Sequence, residues 1–109
     1  MNNKIQFHRY TPVGDALKLF LKQYGLDREF NCRRVYAAWD DASGAKAYTV
    51  RRYFREGKLY ITVNSSVMQS QLFFQRKDLL RRINELLRKD ELFSGNGDRT
   101  NPVKELIIK

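Results

Sequence analysis

Few residues in this chain of 109 carry catalytic chemistry, and their spacing does not assemble it. His8 is the single histidine and Cys32 the single cysteine. Metal ligation needs such ligands in clusters, so no metal site and no cofactor is expected. Cys32 has no histidine close in sequence and reads as a small packing residue. A lone cysteine excludes an internal disulfide and fits a reducing cytoplasm. Gly44-Ala45-Lys46-Ala47 lacks the glycine spacing and Lys-Ser/Thr ending of a phosphate loop, and it follows a helix rather than a strand. No nucleophile is set beside a base, so the chain is not expected to be an enzyme.

What the sequence does offer is cations interleaved with aromatic rings. Arg51, Tyr53, Arg55, Lys58 and Tyr60 recur at every second position on either side of Glu56-Gly57. Bases stack on rings while cations hold phosphates, which is what a single-stranded nucleic acid requires. The plainer alternative is a cross-strand tyrosine pair that stabilises a hairpin, on a face covered by another element. A second stripe, Phe74, Lys77, Arg81 and Arg88, recurs at helical spacing. A phenylalanine among cations can anchor a partner protein; equally, it can lie under a neighbouring loop on an otherwise solvated helix face.

The elements that must position these residues follow from periodicity. Residues 1–10 carry no clean period and read as a ragged N-terminal segment, with residues 11–109 as a single α+β domain. Thr11-Pro12 reads as a helix N-cap with proline at the first position and Asp15 in the first turn. Val13, Ala16, Leu17, Phe20, Leu21 and Tyr24 lie on one arc of that helix, which Gly25 ends. Asp27 is the expected cap of a second helix reaching Ser43-Gly44, with Val35, Ala38, Trp39 and Ala42 as its buried stripe.

Ala47–Arg55 and Lys58–Asn64 then form a hairpin about the two-residue turn Glu56-Gly57. That loop length sets Arg55 against Lys58, Phe54 against Leu59, Tyr53 against Tyr60 and Val50 against Val63. Alternation sorts Tyr48, Val50, Phe54, Leu59, Ile61 and Val63 to a core face. Arg51, Tyr53, Arg55, Lys58, Tyr60 and Thr62 fall on the other. Ser66-Val67-Met68-Gln69 is a capping-box candidate opening one long helix to about Lys89. Its expected buried arc is Met68, Leu72, Phe73, Leu79, Leu80, Ile83, Leu86 and Leu87, with Arg76 inside that arc. Residues 94–102 read as loop and Val103–Ile108 as a last short strand. The order is α-α-β-β-α-β.

Composition bounds what this domain meets. Apolar residues make up 42% of the chain and aromatics 13%, enough to fill one core. Twenty-one Lys and Arg against 12 Asp and Glu leave a net charge of +9, a field that draws polyanions. No stretch approaches the 18 apolar residues of a membrane span, and the first 30 residues hold no signal-peptide core, so neither export nor a membrane is expected.

Across nearly the whole chain, Val13 to Ile108, the sequence resembles the DciA-like family of bacterial proteins, named for a role as replicative-helicase operator. The residues that carry the resemblance form an ordered set. It begins with the leucine-rich first helix and Gly25-Leu26, then Val35…Trp39 with Gly44 five residues beyond. It continues with Gly57-Lys58-Leu59-Tyr60-Ile61-Thr62-Val63, Ser65-Ser66-Val67, Gln71-Leu72 and Val103…Leu106-Ile107-Ile108. The resemblance implies a KH-like domain bound to the replicative helicase that assists its loading onto single-stranded DNA. No Gly-x-x-Gly loop interrupts the long helix, so clamping of the nucleic-acid backbone in the KH manner is not expected. The chain also ends soon after the last strand, without the tail that longer members use for helicase contacts.

The expectation is therefore a cytoplasmic nucleic-acid-binding adaptor acting near the replicative helicase. Arg51, Tyr53, Arg55, Lys58 and Tyr60 are its candidate contacts and Lys77 and Arg81 secondary ones. The alternative is a purely protein-binding module whose basic surface meets an acidic partner.

Overall fold

A computed structural model describes residues 12–93 and 101–109. The ragged start, the Thr11 cap, His8 and most of the 94–102 loop lie outside the described residues. Helices α1 (Pro12–Gln23) and α2 (Asp27–Ser43) lead through a 3₁₀ turn (Lys46–Tyr48) to strands β1 (Thr49–Arg55) and β2 (Lys58–Val63). Helices α3 (Ser66–Phe74) and α4 (Arg76–Arg88) and strand β3 (Glu105–Ile108) follow. The expected α+β class holds, but the expected single long helix is two: it breaks at Gln75, so the order is α-α-β-β-α-α-β.

The sheet runs β1-β2-β3, with β1 antiparallel and β3 parallel to β2. Helices cover one face. Leu59, Ile61, Leu106 and Ile108 point into that face and meet Val35, Trp39, Leu79, Ile83 and Leu87. A parallel neighbour needs a crossover connection, and α3 and α4 supply it. Its return end is fixed by Asn84, which is buried on α4. The Asn84 amide donates to the Val103 carbonyl at 2.9 Å and accepts from the Val103 N–H at 2.8 Å. Lys104 and Glu105 then donate their N–H groups to the Gly57 carbonyl, at 2.7 and 3.2 Å, and β3 starts in register.

At the corner between α2 and β1, Gly44 takes a left-handed conformation and ends the helix. Fully buried Trp39 donates from its indole N–H to the Thr49 hydroxyl at 3.1 Å, and that hydroxyl donates to the Ala45 carbonyl at 2.7 Å. This corner explains a correction to the register. The pairs Arg55–Lys58, Phe54–Leu59 and Tyr53–Tyr60 are as expected, but Thr49 rather than Val50 faces Val63, through a bulge between Thr49 and Arg51. One extra residue inverts the alternation beyond it. Thr49 turns inward to the tryptophan, and Tyr48 and Val50, expected in the core, are exposed.

Other expectations shift for local reasons. Ser65, not Ser66, caps α3, its hydroxyl accepting from the Met68 N–H at 3.3 Å. Leu26 holds the cap position of α2, and Asp27 is its first residue. Phe73 and Leu86 are exposed rather than buried, since they fall at the two margins of the arc whose centre is Leu72, Leu79, Ile83 and Leu87. The Arg76 guanidinium, which the unbroken pattern set inside the apolar arc, instead lies 4.2 Å from the Phe73 ring centroid. On α1 the apolar arc is only partly covered: Phe20 and Tyr24 are exposed and pack on each other, ring centroids 4.7 Å apart.

Two stability predictions follow from these contacts. Asn84→Ala leaves both polar groups of the Val103 peptide buried without their partner, at about 1–3 kcal/mol each. Chemical denaturation should show a loss of at least ~2 kcal/mol, and amide exchange should show β3 opening ahead of β2. A loss under ~1 kcal/mol would mean that the amide is not the anchor. At the hairpin turn, Glu56 and Gly57 both have positive φ, 52° and 80°. Asparagine tolerates that region far better than glutamate. Glu56→Asn should therefore raise stability by ~0.5–1 kcal/mol, a few degrees of Tm; an unchanged or lower Tm would contradict the turn geometry.

Candidate nucleic-acid interface

Alternation on two paired strands brings residues 51, 53 and 55 and residues 58, 60 and 62 to one side of the sheet, and the helices occupy the other. The outer side is an open concavity of about 410 Å³ lined by Arg51, Tyr53, Arg55, Glu56, Lys58, Tyr60, Thr62 and Lys109. All five hairpin residues expected at the site are therefore together, and no described element covers them. Tyr53 and Tyr60 are direct cross-strand partners, with ring centroids 5.9 Å apart and planes inclined at 41°. Tyr53 is exposed and Tyr60 half-buried.

Arg55 is tied to this platform. Its interaction with the Tyr53 hydroxyl, and then the nearby carboxylate of Glu56, raise the Arg55 pKa. Lys109 was not anticipated. It follows β3, and its ammonium lies 5.9 Å from the Tyr60 ring centroid. Alternation along Glu105-Leu106-Ile107-Ile108-Lys109 puts Lys109 on the face opposite the buried Leu106 and Ile108. Its arrival beside Tyr60 depends on β3 pairing parallel with β2, which local patterning does not encode.

Lys77 and Arg81 are not part of this group. They sit on α4, whose Leu79 and Ile83 are buried beneath the inner face of the sheet. Arg81 is also neutralised, bridging Asp78 at 2.5 Å and Glu85 at 3.0 Å, contacts that raise its pKa and lower that of Asp78. Phe74 points away from the core and is 88% exposed, so it is not tucked under a described loop.

Arg52, between two site residues in sequence, faces the other way. It bridges Asp40 of α2 at 2.6 Å and lies 5.2 Å from the Tyr36 ring centroid. These three residues line a second concavity of about 400 Å³ at the β1 bulge, together with Lys46, Thr49, Val50 and Arg51. The Tyr36 hydroxyl accepts from the Phe54 N–H at 3.1 Å, and burial pushes its pKa up. Cys32 donates weakly to the Phe54 carbonyl at 3.7 Å, and burial likewise raises its thiol pKa. Both residues thus occupy polar groups of Phe54 on the open edge of β1, and Cys32 is no activated nucleophile. Among the described residues, no group of three or more His, Cys, Asp or Glu side chains could hold a metal ion. No described helix is long and apolar enough to cross a membrane.

The sequence profile of the family described as "Dna[CI] antecedent, DciA" matches residues 12–92, from the start of α1 past the end of α4. The chain belongs to the DciA family. Membership carries a helicase-loader-related role in bacterial replication, in a family of loaders and adaptors rather than known enzymes. Comparison with curated proteins gave no match, and comparison with solved structures gave none.

The sorting of arginines makes a prediction that separates the site from its scaffold. Arg52→Ala strands the half-buried Asp40 carboxylate and should cost ~1–3 kcal/mol in chemical denaturation. Arg51→Ala, on the open face, should leave stability within ~0.5 kcal/mol of wild type. Equal losses at the two positions would show that the outer face is not free surface.

Proposed function

We propose that this DciA-family chain is a cytoplasmic nucleic-acid-binding adaptor that assists loading or operation of the bacterial replicative helicase on single-stranded DNA. The observation that carries this reading is the convergence of Tyr53 and Tyr60 with Arg51, Arg55, Lys58 and Lys109 on one uncovered sheet face. Rings and cations interleaved at strand spacing match a strand whose bases and phosphates alternate along its length. The two-strand, two-helix, one-strand succession after α2 agrees with the KH-like layout that the resemblance implies. The helix break at Gln75 carries no glycine, however, so close approach of a phosphate backbone is better suited to the sheet face than to that break.

A second reading, a purely protein-binding module, is favoured by Phe74. An 88% exposed phenylalanine beside Arg76 and Lys77, on the helical layer, has the chemistry of an interface anchor. The two readings use opposite layers of the fold, and an adaptor employs both.

Fluorescence-anisotropy titration of a labelled oligonucleotide at several salt concentrations tests the first reading. Arg51→Ala or Arg55→Ala should flatten the log–log salt dependence by roughly 0.7 per lost phosphate contact. Tyr53→Ala or Tyr60→Ala should weaken binding by about 1–3 kcal/mol with that slope nearly intact. Tyrosine variants that bind like wild type would remove the stacking platform. Absence of binding to any oligonucleotide at low salt would leave the protein-binding module.

A further inference from the structure

One group in the hairpin concavity is at odds with a surface that attracts phosphate. Glu56 lines it beside Tyr53, Arg55, Lys58 and Tyr60. A carboxylate there weakens the local positive field. It also stands in a left-handed backbone position, φ 52°, where glycine, asparagine or aspartate is the usual occupant. Its carboxylate is in no hydrogen bond or ion pair among the described residues, and Arg55 acts on it only through space. An exposed acceptor pair at the rim of two aromatic rings is thus kept in a place that neither turn geometry nor phosphate affinity favours.

We infer that Glu56 is a specificity-determining residue of this face: it accepts the N1–H and N2–H donors of a guanine stacked on the tyrosine pair. The inference rests on the reading of the outer face as a single-strand site. Its chemistry is that of matching edges. A carboxylate offers two acceptor oxygens and no donor. Guanine presents two adjacent donors on its Watson–Crick edge. Adenine and cytosine present one amino group beside a ring-nitrogen acceptor, and thymine presents one N–H between two carbonyls that repel a carboxylate. In a duplex the guanine donors are already paired, so this contact exists only on an unpaired strand. The same carboxylate therefore selects guanine among bases and single strand over duplex.

The test is an anisotropy titration, at one low salt concentration, of an oligothymidine about twelve nucleotides long and its counterpart with one central guanine. A single guanine avoids quadruplex formation. Wild type should bind the guanine oligonucleotide about tenfold more tightly, the scale of a bidentate base contact. Inosine in its place lacks the 2-amino donor and should lose most of that gain. Glu56→Gln has one acceptor in place of two, and Glu56→Asn is shorter and suited to the turn. Both should lose the preference while binding oligothymidine at least as well as wild type. Equal binding of the two oligonucleotides by wild type overturns the role of Glu56 and leaves the stacking platform standing. A guanine preference that survives in both variants overturns it as well. If neither oligonucleotide binds, the single-strand reading fails and takes this inference with it.

Discussion

A sheet whose third strand is parallel to its neighbour depends on something that stops the returning chain at the right residue. Here that is the side-chain amide of Asn84, which holds both polar groups of the Val103 peptide from within the helical layer. A buried amide in an apolar core is unfavourable unless its partners are met, and this one meets a donor and an acceptor of a single peptide unit. The match tolerates no slip: displaced by one residue, β3 would turn Leu106 and Ile108 outward and Ile107 inward. The apolar side of β3, the closing of the core under β2 and the arrival of Lys109 beside Tyr60 all depend on that amide.

With β3 in place, the sheet separates two kinds of surface by geometry alone. Every second side chain of β2 turns to the core: Leu59 and Ile61 are fully buried and Val63, at the end of the strand, is partly so. The residues between them, Lys58, Tyr60 and Thr62, remain on the open side with their β1 partners. The rigidity of the inner face is what gives the outer one its fixed spacing. The tyrosine pair does not need to build the hairpin by itself, since the core beneath it already does.

Charge is sorted by the same logic. The net +9 is not a uniform coat. Arg34 bridges Asp90 and Arg52 bridges Asp40, tying α2 to the rest of the fold, and Arg81 and Arg82 share Asp78 along α4. Such cations contribute to structure or to helix pairing, and their local field is largely cancelled. Arg51, Arg55, Lys58 and Lys109 line a concavity with a single acidic side chain among them, so the field that a polyanion meets is focused there.

Local pattern alone determined the hairpin, its turn and the pairing of Tyr53 with Tyr60, because a two-residue loop leaves one register and alternation assigns the side chains from Arg51 to Thr62. It also determined the stripe Val35, Ala38 and Trp39, and the five hairpin residues of the candidate site, since period and residue type are local quantities. Tertiary structure decided the rest. The bulge at Val50 arises because the Trp39 indole draws the Thr49 hydroxyl inward, a contact between elements that no period encodes. The break at Gln75 passes without a glycine or proline to mark it, so a continuous helical pattern hid the end of one helix and the start of the next. Lys77 and Arg81 matched the site in charge but lie on the helical layer, because the helices cover the opposite face of the sheet. Lys109 belongs to the site only because β3 pairs parallel to β2, and strand order is set by long-range packing and the Asn84 amide rather than by any local preference.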